Sequence, residues 1–312
     1  MNDNSHLKQA RRAKNNEFYT RFEDIEREVA FHADRFAGKK VYSNCDSDNS
    51  AFFQFFVDRF DELKLDRFGA TAYERRTLFA PPRKAWHREL ISDYITGIDG
   101  KTAAHFWNTP LFGDGDFRSE ECIALFRAAD IIVTNPPFSL FRSFLKTCLH
   151  WEKDFLIIGP ITAIRDKTIF PYLKYGHFRL GCTRPKYFRT PAGETAVLNN
   201  CRWFTTFPVD RPPLPLTKKY NPAEYPRYDD TDAINVDRYP DIPADYPGIM
   251  GVPLTFAEAF CPRQFELIST GRFHVNGEEK YERILIRRRY YAPSARPILR
   301  LFSDEFFTGG RQ

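Results

Sequence analysis

The sequence has no Cys-x-x-Cys pair, no run of about 18 apolar residues, no apolar stretch behind its polar start to act as a secretory leader, and no internal repeat. Its six cysteines (Cys45, Cys122, Cys148, Cys182, Cys201 and Cys261) are scattered and lack close histidine partners. That spacing argues against a zinc cluster or a disulfide framework and predicts that most are buried thiols. The expectation is a cytoplasmic chain with no membrane partner and no metal. Neither charge sign dominates: 46 Lys and Arg stand against 41 Asp and Glu, a net of +5 that permits a polyanion partner without requiring one. Gly (16) and Pro (22) are too scarce in 312 residues for a low-complexity chain, and 42% hydrophobic content can fill a sizeable core, so disorder is excluded as the dominant state. The length allows one large domain or a core with an attached lobe. What is abundant is phenylalanine, 31 residues, which predicts a core built on Phe.

Residues 1–16 are polar and cluster Lys8, Arg11, Arg12 and Lys14, predicting a mobile basic arm with structure from Glu17 onward. Phe22, Ile25, Val29 and Phe36 recur at helical spacing, predicting a helix from Thr20 to Phe36 stopped by Gly38. Residues 40–44 read as a strand, 45–50 as a polar turn and 51–57 as the start of a helix with a Phe-rich buried side. The order recurs: 67–73, 130–134 and 155–159 are strand candidates, and 120–129 and 138–151 are helix candidates. Residues 101–117 read as strand and loop, turning at Gly113 and Gly115. Short β-branched runs between helices predict a parallel α/β sheet.

Nine prolines between 208 and 247 predict that the chain beyond 208 is mostly loop. Within it, residues 224–245 carry seven acidic residues against two arginines, whereas residues 280–300 carry seven basic residues against one acidic. Arg287, Arg288 and Arg289 lie in a strand candidate, 281–290, and suit either phosphate contact or a solvated sheet edge. The expected divisions are an arm (1–16), a catalytic domain (17–207) and a Pro-rich, basic target-recognition region packed on it (208–312).

The four residues most informative about chemistry are Asn135, Pro136, Pro137 and Phe138, directly after the apolar run Ile131-Ile132-Val133. An amino group on an aromatic ring is a poor nucleophile because its lone pair is delocalised. A side-chain amide and a backbone carbonyl that accept its N–H bonds draw the nitrogen towards sp3 geometry. Asn135 and the Pro136 carbonyl suit that task, since paired prolines have no N–H for a sheet ladder, and Phe138 can stack on the base. A base taken out of its duplex needs this combination of edge hydrogen bonds and stacking. The position is also apt, because open α/β sheets bind ligands at the carboxyl ends of their strands.

Here the sequence resembles the S-adenosylmethionine-dependent amino-methyltransferases, whose motif is Asp, Asn or Ser, two prolines, then Phe, Tyr or Trp. Residues 16–20 resemble that group's N-terminal cofactor motif, which implies that Phe18, Tyr19 and Thr20 embrace the methionine moiety. Asn44-Cys45-Asp46 takes the place of the first cofactor loop, implying Asn44 and Asp46 as ligands. Glu74 stands where an acid holds the ribose, and Asp116 with Phe117 where adenine is bound. Asp46 could instead cap the next helix, although a strand-end Asp in this fold faces the cofactor more often, and Glu74, beside Arg75 and Arg76, suits a surface charge equally well. The glycine-rich loop usual in the group is absent between Tyr42 and Ser50. The string V-Y-x-N-C-D followed by x-F-F-x-x-F, with E-F-Y-T and N-P-P-F, is similar to the EcoRI-type adenine-specific DNA methyltransferases. Residues 199–205, 250–256, 264–268 and 283–288 extend the similarity, which covers roughly residues 15–290.

The resemblance implies a Rossmann-like class I methyltransferase sheet with helices on both faces, followed by a loop-rich DNA-recognition region. It implies a site-specific DNA adenine-N6 methyltransferase that uses S-adenosyl-L-methionine on a flipped adenine of double-stranded DNA, in a restriction-modification or phage protection system. A monomer is expected, because such an enzyme must act on hemimethylated sites. Two alternatives stay open: methylation of RNA adenine or a protein glutamine, and a catalytically silent DNA-binding protein of the same fold.

Overall fold

The computed structural model describes residues 18–47, 49–72, 85–91, 105–190 and 193–289; the arm 1–16 and Glu74 lie outside them. In chain order the helices and strands are α1 (Phe22–Val29), β1 (Lys40–Asn44), α2 (Ala51–Asp58), β2 (Arg67–Thr71), β3 (Trp86–Ile91), β4 (His105–Pro110), α3 (Glu120–Ala128), β5 (Ile131–Thr134), α4 (Phe141–His150) and β6 (Asp154–Pro160). They continue with α5 (Phe170–Lys174), β7 (Arg179–Leu180), β8 (Tyr187–Arg189), β9 (Thr195–Val197), β10 (Cys201–Thr205), β11 (Ala233–Asn235), β12 (Ile249–Pro253), β13 (Phe265–Val275) and β14 (Glu278–Arg288). Two compact units result: residues 1–160 with 181–207, and residues 161–180 with 208–312. Residues 161–180, inside the expected catalytic segment, cluster with the second unit. Among the described residues no helix is long and apolar enough to cross a membrane.

In the first unit the strands run in the order β4-β3-β2-β1-β5-β6-β10. β2, β1, β5 and β6 are parallel, as the strand–helix alternation predicts. β3, β4 and β10 are antiparallel to their neighbours, so the sheet is mixed and the expectation of a parallel one is corrected. Trp86–Ile91 mixes charged and apolar residues, the composition of a strand with an accessible side, and a search for apolar β-branched runs passes it over. β8 and β9 form a separate hairpin.

Helices cover both faces of this sheet. Val41, Phe68, Ile131, Val133 and Leu156 turn one face to Ile25 and Val29 of α1 and to the Phe residues of α2. On the other face, Phe141 of α4 fills the space where a Cβ at Gly159 would sit 2.1 Å from its ring, and it meets Phe204 at 4.8 Å. Each such buried side chain contributes roughly 1.5–3 kcal/mol. Ser50 and Ser119 start α2 and α3 by accepting the N–H of Phe53 and Cys122, at 3.0 and 3.2 Å. The helix expected from Thr20 to Phe36 is shorter, Phe22–Val29 followed by a 3-10 turn at Ala33–Arg35. Phe36 is nonetheless fully buried, so the turn satisfies the apolar spacing that suggested a continuous helix.

The second unit holds a four-stranded sheet, β11-β12-β14-β13; residues 208–248 are mostly loop as expected, and the expectation is corrected from Ile249 onward, where the long strands lie. The prolines that motivated that reading all precede the main strands. β13 and β14, 11 residues each, are joined by Asn276-Gly277 at φ 52° and 77°, a two-residue hairpin turn whose positive dihedrals these residues adopt readily. Tyr228, Ala233, Val275 and Leu285 centre a small core there.

Candidate active site

β1 and β5 pair through Val41 with Ile131 and Tyr42 with Ile132, so their carboxyl ends release Asn44-Cys45-Asp46 and Thr134-Asn135 side by side. Asp46 ties these ends together. Its Oδ2 accepts from Ser43 Oγ at 2.5 Å and Thr134 Oγ1 at 2.6 Å, and its N–H donates to the Thr71 carbonyl of β2 at 3.1 Å. Burial raises the Asp46 carboxyl pKa, and the hydroxyls of Ser43 and Thr134 oppose the rise. The loop thus turns on a hydrogen-bonded carboxylate where glycines would otherwise serve.

Asn135 is half-buried, and its Nδ2 donates to the Phe18 carbonyl at 2.5 Å. That bond fixes the amide's orientation and leaves Oδ1 buried without a partner. Phe18 is held in turn: its ring lies 5.7 Å from Phe138 and 6.4 Å from Phe188. The next residue, Tyr19, exchanges backbone hydrogen bonds with Arg189 at 2.8 and 2.9 Å. Pro136 and Pro137 offer no N–H, and the Pro137 carbonyl accepts from Leu140 N–H at 2.8 Å, leading into α4. Asn44, 2% exposed, has no partner for either amide atom, and Thr20 Oγ1 is buried in the same condition. A buried polar atom without a partner costs about 1–3 kcal/mol. Four such atoms, two on Asn44 and one each on Asn135 and Thr20, are candidates to meet a polar ligand.

Gly115 brings the loop before α3 onto the end of β2: at φ 81° its backbone lies where a Cβ would meet the Ala72 carbonyl at 2.3 Å. Asp116 follows, its carboxylate bound by Arg118 through Nε at 2.9 Å and Nη2 at 2.5 Å, and these bonds lower its pKa. Burial pushes the Cys45 thiol well up, with the charges of Asp46 and Asp116 adding to the effect. Phe117 is buried against Phe144 at 5.2 Å, below the loop.

The fold therefore gathers Phe18, Thr20, Asn44, Asp46, Asp116, Asn135, Pro136 and Phe138 in one unit, while the Tyr19 side chain is 46% exposed. Phe138 leans on Phe18 and Phe188. The sequence reading passed over Ser43, Thr134 and Phe188; hydroxyls at the ends of β1 and β5 were the available signal for the first two. Arg287, Arg288 and Arg289 belong to the second unit, where each has a partner: the Glu266 carboxylate at 3.1 Å, the Ala244 carbonyl, and the Phe265 carbonyl at 3.1 Å. Glu28, His32 and Cys182 bring three metal-type donor atoms within 4.8 Å. The Glu28 carboxylate, however, already accepts from Cys182 N–H, Thr183 N–H and Thr183 Oγ1 at 2.6–2.7 Å, which makes it a latch between α1 and residues 182–183.

The family model described as adenine-specific methyltransferase EcoRI matches residues 6–292. The chain is 37% identical to the type II methyltransferase M.EcoRI of Escherichia coli, across 92% of this chain and 97% of that protein. It is 34% identical to the type II methyltransferase M.MpnI of Mycoplasma pneumoniae (91% and 98% covered) and 33% identical to M.MgeORF184P of Mycoplasma genitalium (91% and 99%). No solved structure matches.

Proposed function

The chain belongs to the adenine-specific methyltransferase EcoRI family, and on that premise we propose that it methylates the N6 amino group of adenine in double-stranded DNA, with S-adenosyl-L-methionine as donor. The observation that carries the reading is Asn135, whose amide is anchored through Nδ2 to Phe18 and whose Oδ1 is buried and unpaired. That oxygen and the Pro136 carbonyl accept the two N–H bonds of the target amine. Accepting them concentrates the lone pair on nitrogen. The target adenine is extruded from the duplex to reach them, a cost repaid by edge hydrogen bonds and stacking.

The unpaired polar atoms of Thr20 and Asn44 and the anchored Asp46 fit a polar cofactor, with Asp116 at the neighbouring loop. When bound, the donor supplies an electrophilic methyl group on a sulfonium. The chain's own contribution is positioning: Phe188 and Phe138 fix Phe18, Phe18 fixes Asn135, and Asn135 holds the amine in line for attack. We read 17–207 as the catalytic part and 208–312 as the part that reads the site. The type II names of the relatives support a restriction-modification setting.

Transfer of labelled methyl to unmethylated duplex DNA, followed by nucleoside mass spectrometry, tests the reading. N6-methyladenine is expected, and Asn135→Ala is expected to slow its formation about 10²–10³-fold while cofactor affinity stays unchanged. Near-normal turnover in that variant would remove Asn135 from its role. Label in RNA but not in DNA would replace the substrate.

A further inference from the structure

The segment 18–20, β8 and β9 make a three-stranded patch whose two faces differ in character. Tyr19 pairs with Arg189, Arg189 with Thr195, and Tyr187 with Val197, so all five side chains share one face by strand alternation. Phe18, Thr20 and Phe188 take the opposite face, and that face carries Asn135 and Phe138. The outward face is apolar and accessible: Tyr19 is 46% exposed, Tyr187 43% and Val197 52%. Arg189 puts a positive charge on this face, and Lys186, exposed, precedes Tyr187 in the chain. The Lys186 ammonium lies over the Tyr187 ring, 5.4 Å from its centre.

We propose that this outward face contacts the nucleic-acid strand beside the target base, Tyr187 stacking on a base while Lys186 and Arg189 meet phosphates. The proposal rests on the methyltransferase reading above. Aromatic rings among cations are what a strand with accessible bases requires, because every base has a stacking face and every linkage a negative charge. The same patch carries the Asn135 anchor on its reverse, so a strand lying on it is separated from the catalytic amide by this one layer of sheet.

The test uses the full chain with Tyr187→Ala, Tyr187→Phe and the pair Lys186→Gln with Arg189→Gln. Tyr187→Ala is expected to lower kcat/KM for duplex DNA roughly tenfold or more, with S-adenosylmethionine affinity unchanged and Tyr187→Phe restoring most of the loss. The double variant is expected to flatten the dependence of log affinity for a short duplex on log salt by about two. Tyr187→Ala at the unaltered rate, or losing cofactor affinity in parallel, would overturn the proposal. If the unaltered chain transfers no methyl to DNA, the function reading fails instead. The salt dependence of duplex binding then still decides this surface, and an unchanged slope in the double variant overturns it.

Discussion

Asn44 and Arg283 are both polar side chains inside their units, at 2% and 8% exposure, yet their surroundings differ. Asn44 keeps both amide atoms without partners, and Asn135 beside it keeps one. Arg283 donates to Asn235 Oδ1 and to Asp237, each at 3.3 Å, and Asn235 also accepts from the Tyr228 hydroxyl at 2.8 Å. A buried group with its bonds made contributes to folding, whereas one with its bonds unmade opposes folding. The contrast sets the ends of β1 and β5, with their unpaired amide atoms, apart from β14, whose Arg283 is engaged inside the second unit.

Three substitutions would break or sharpen that contrast. Arg283→Ala has the largest expected effect: it removes the charge-assisted bonds to Asn235 and Asp237 and should lower stability by about 2–3 kcal/mol, read as a drop in urea midpoint, while cofactor affinity is unchanged. Asn44→Leu should act with opposite signs, raising stability by about 1 kcal/mol and weakening S-adenosylmethionine binding tenfold or more, roughly one lost charge-assisted hydrogen bond. A fall in both quantities would show that the Asn44 amide is structural. Arg287→Ala should be the mildest. Its pair with Glu266 has side chains 50% and 34% exposed, so the change should stay within about 1 kcal/mol, as calorimetry would show.

Much of the first unit is legible in its residues. Apolar β-branched runs announce β5 and β6, Ser50 announces α2, and Asn135-Pro-Pro-Phe138 is visible directly after β5. Strands that carry charge are harder to see, and Trp86–Ile91 is missed for that reason. In the second unit the prolines up to 247 draw the eye away from Asn276-Gly277, a strong hairpin signal in the sequence. The contacts that complete the site are a different case. No local pattern pairs Phe18 with Asn135, 117 residues away, or Tyr19 with Arg189. Alternation in 18–20 says that Tyr19 opposes Phe18 and Thr20, but only the partner strand decides which of them turns inward.

Those distant pairings also govern when the surroundings of Asn135 can form. Residues 18, 135 and 189 must all have left the ribosome before Asn135 has its anchor and the anchor has its strand. Closing such long loops is slow compared with forming a helix turn. A nascent or prematurely terminated chain ending before the β8–β9 hairpin holds the N-P-P-F motif without the frame that aims it. A chain ending before β8 is therefore expected to lack the Tyr19–Arg189 pairing that holds the anchor of Asn135.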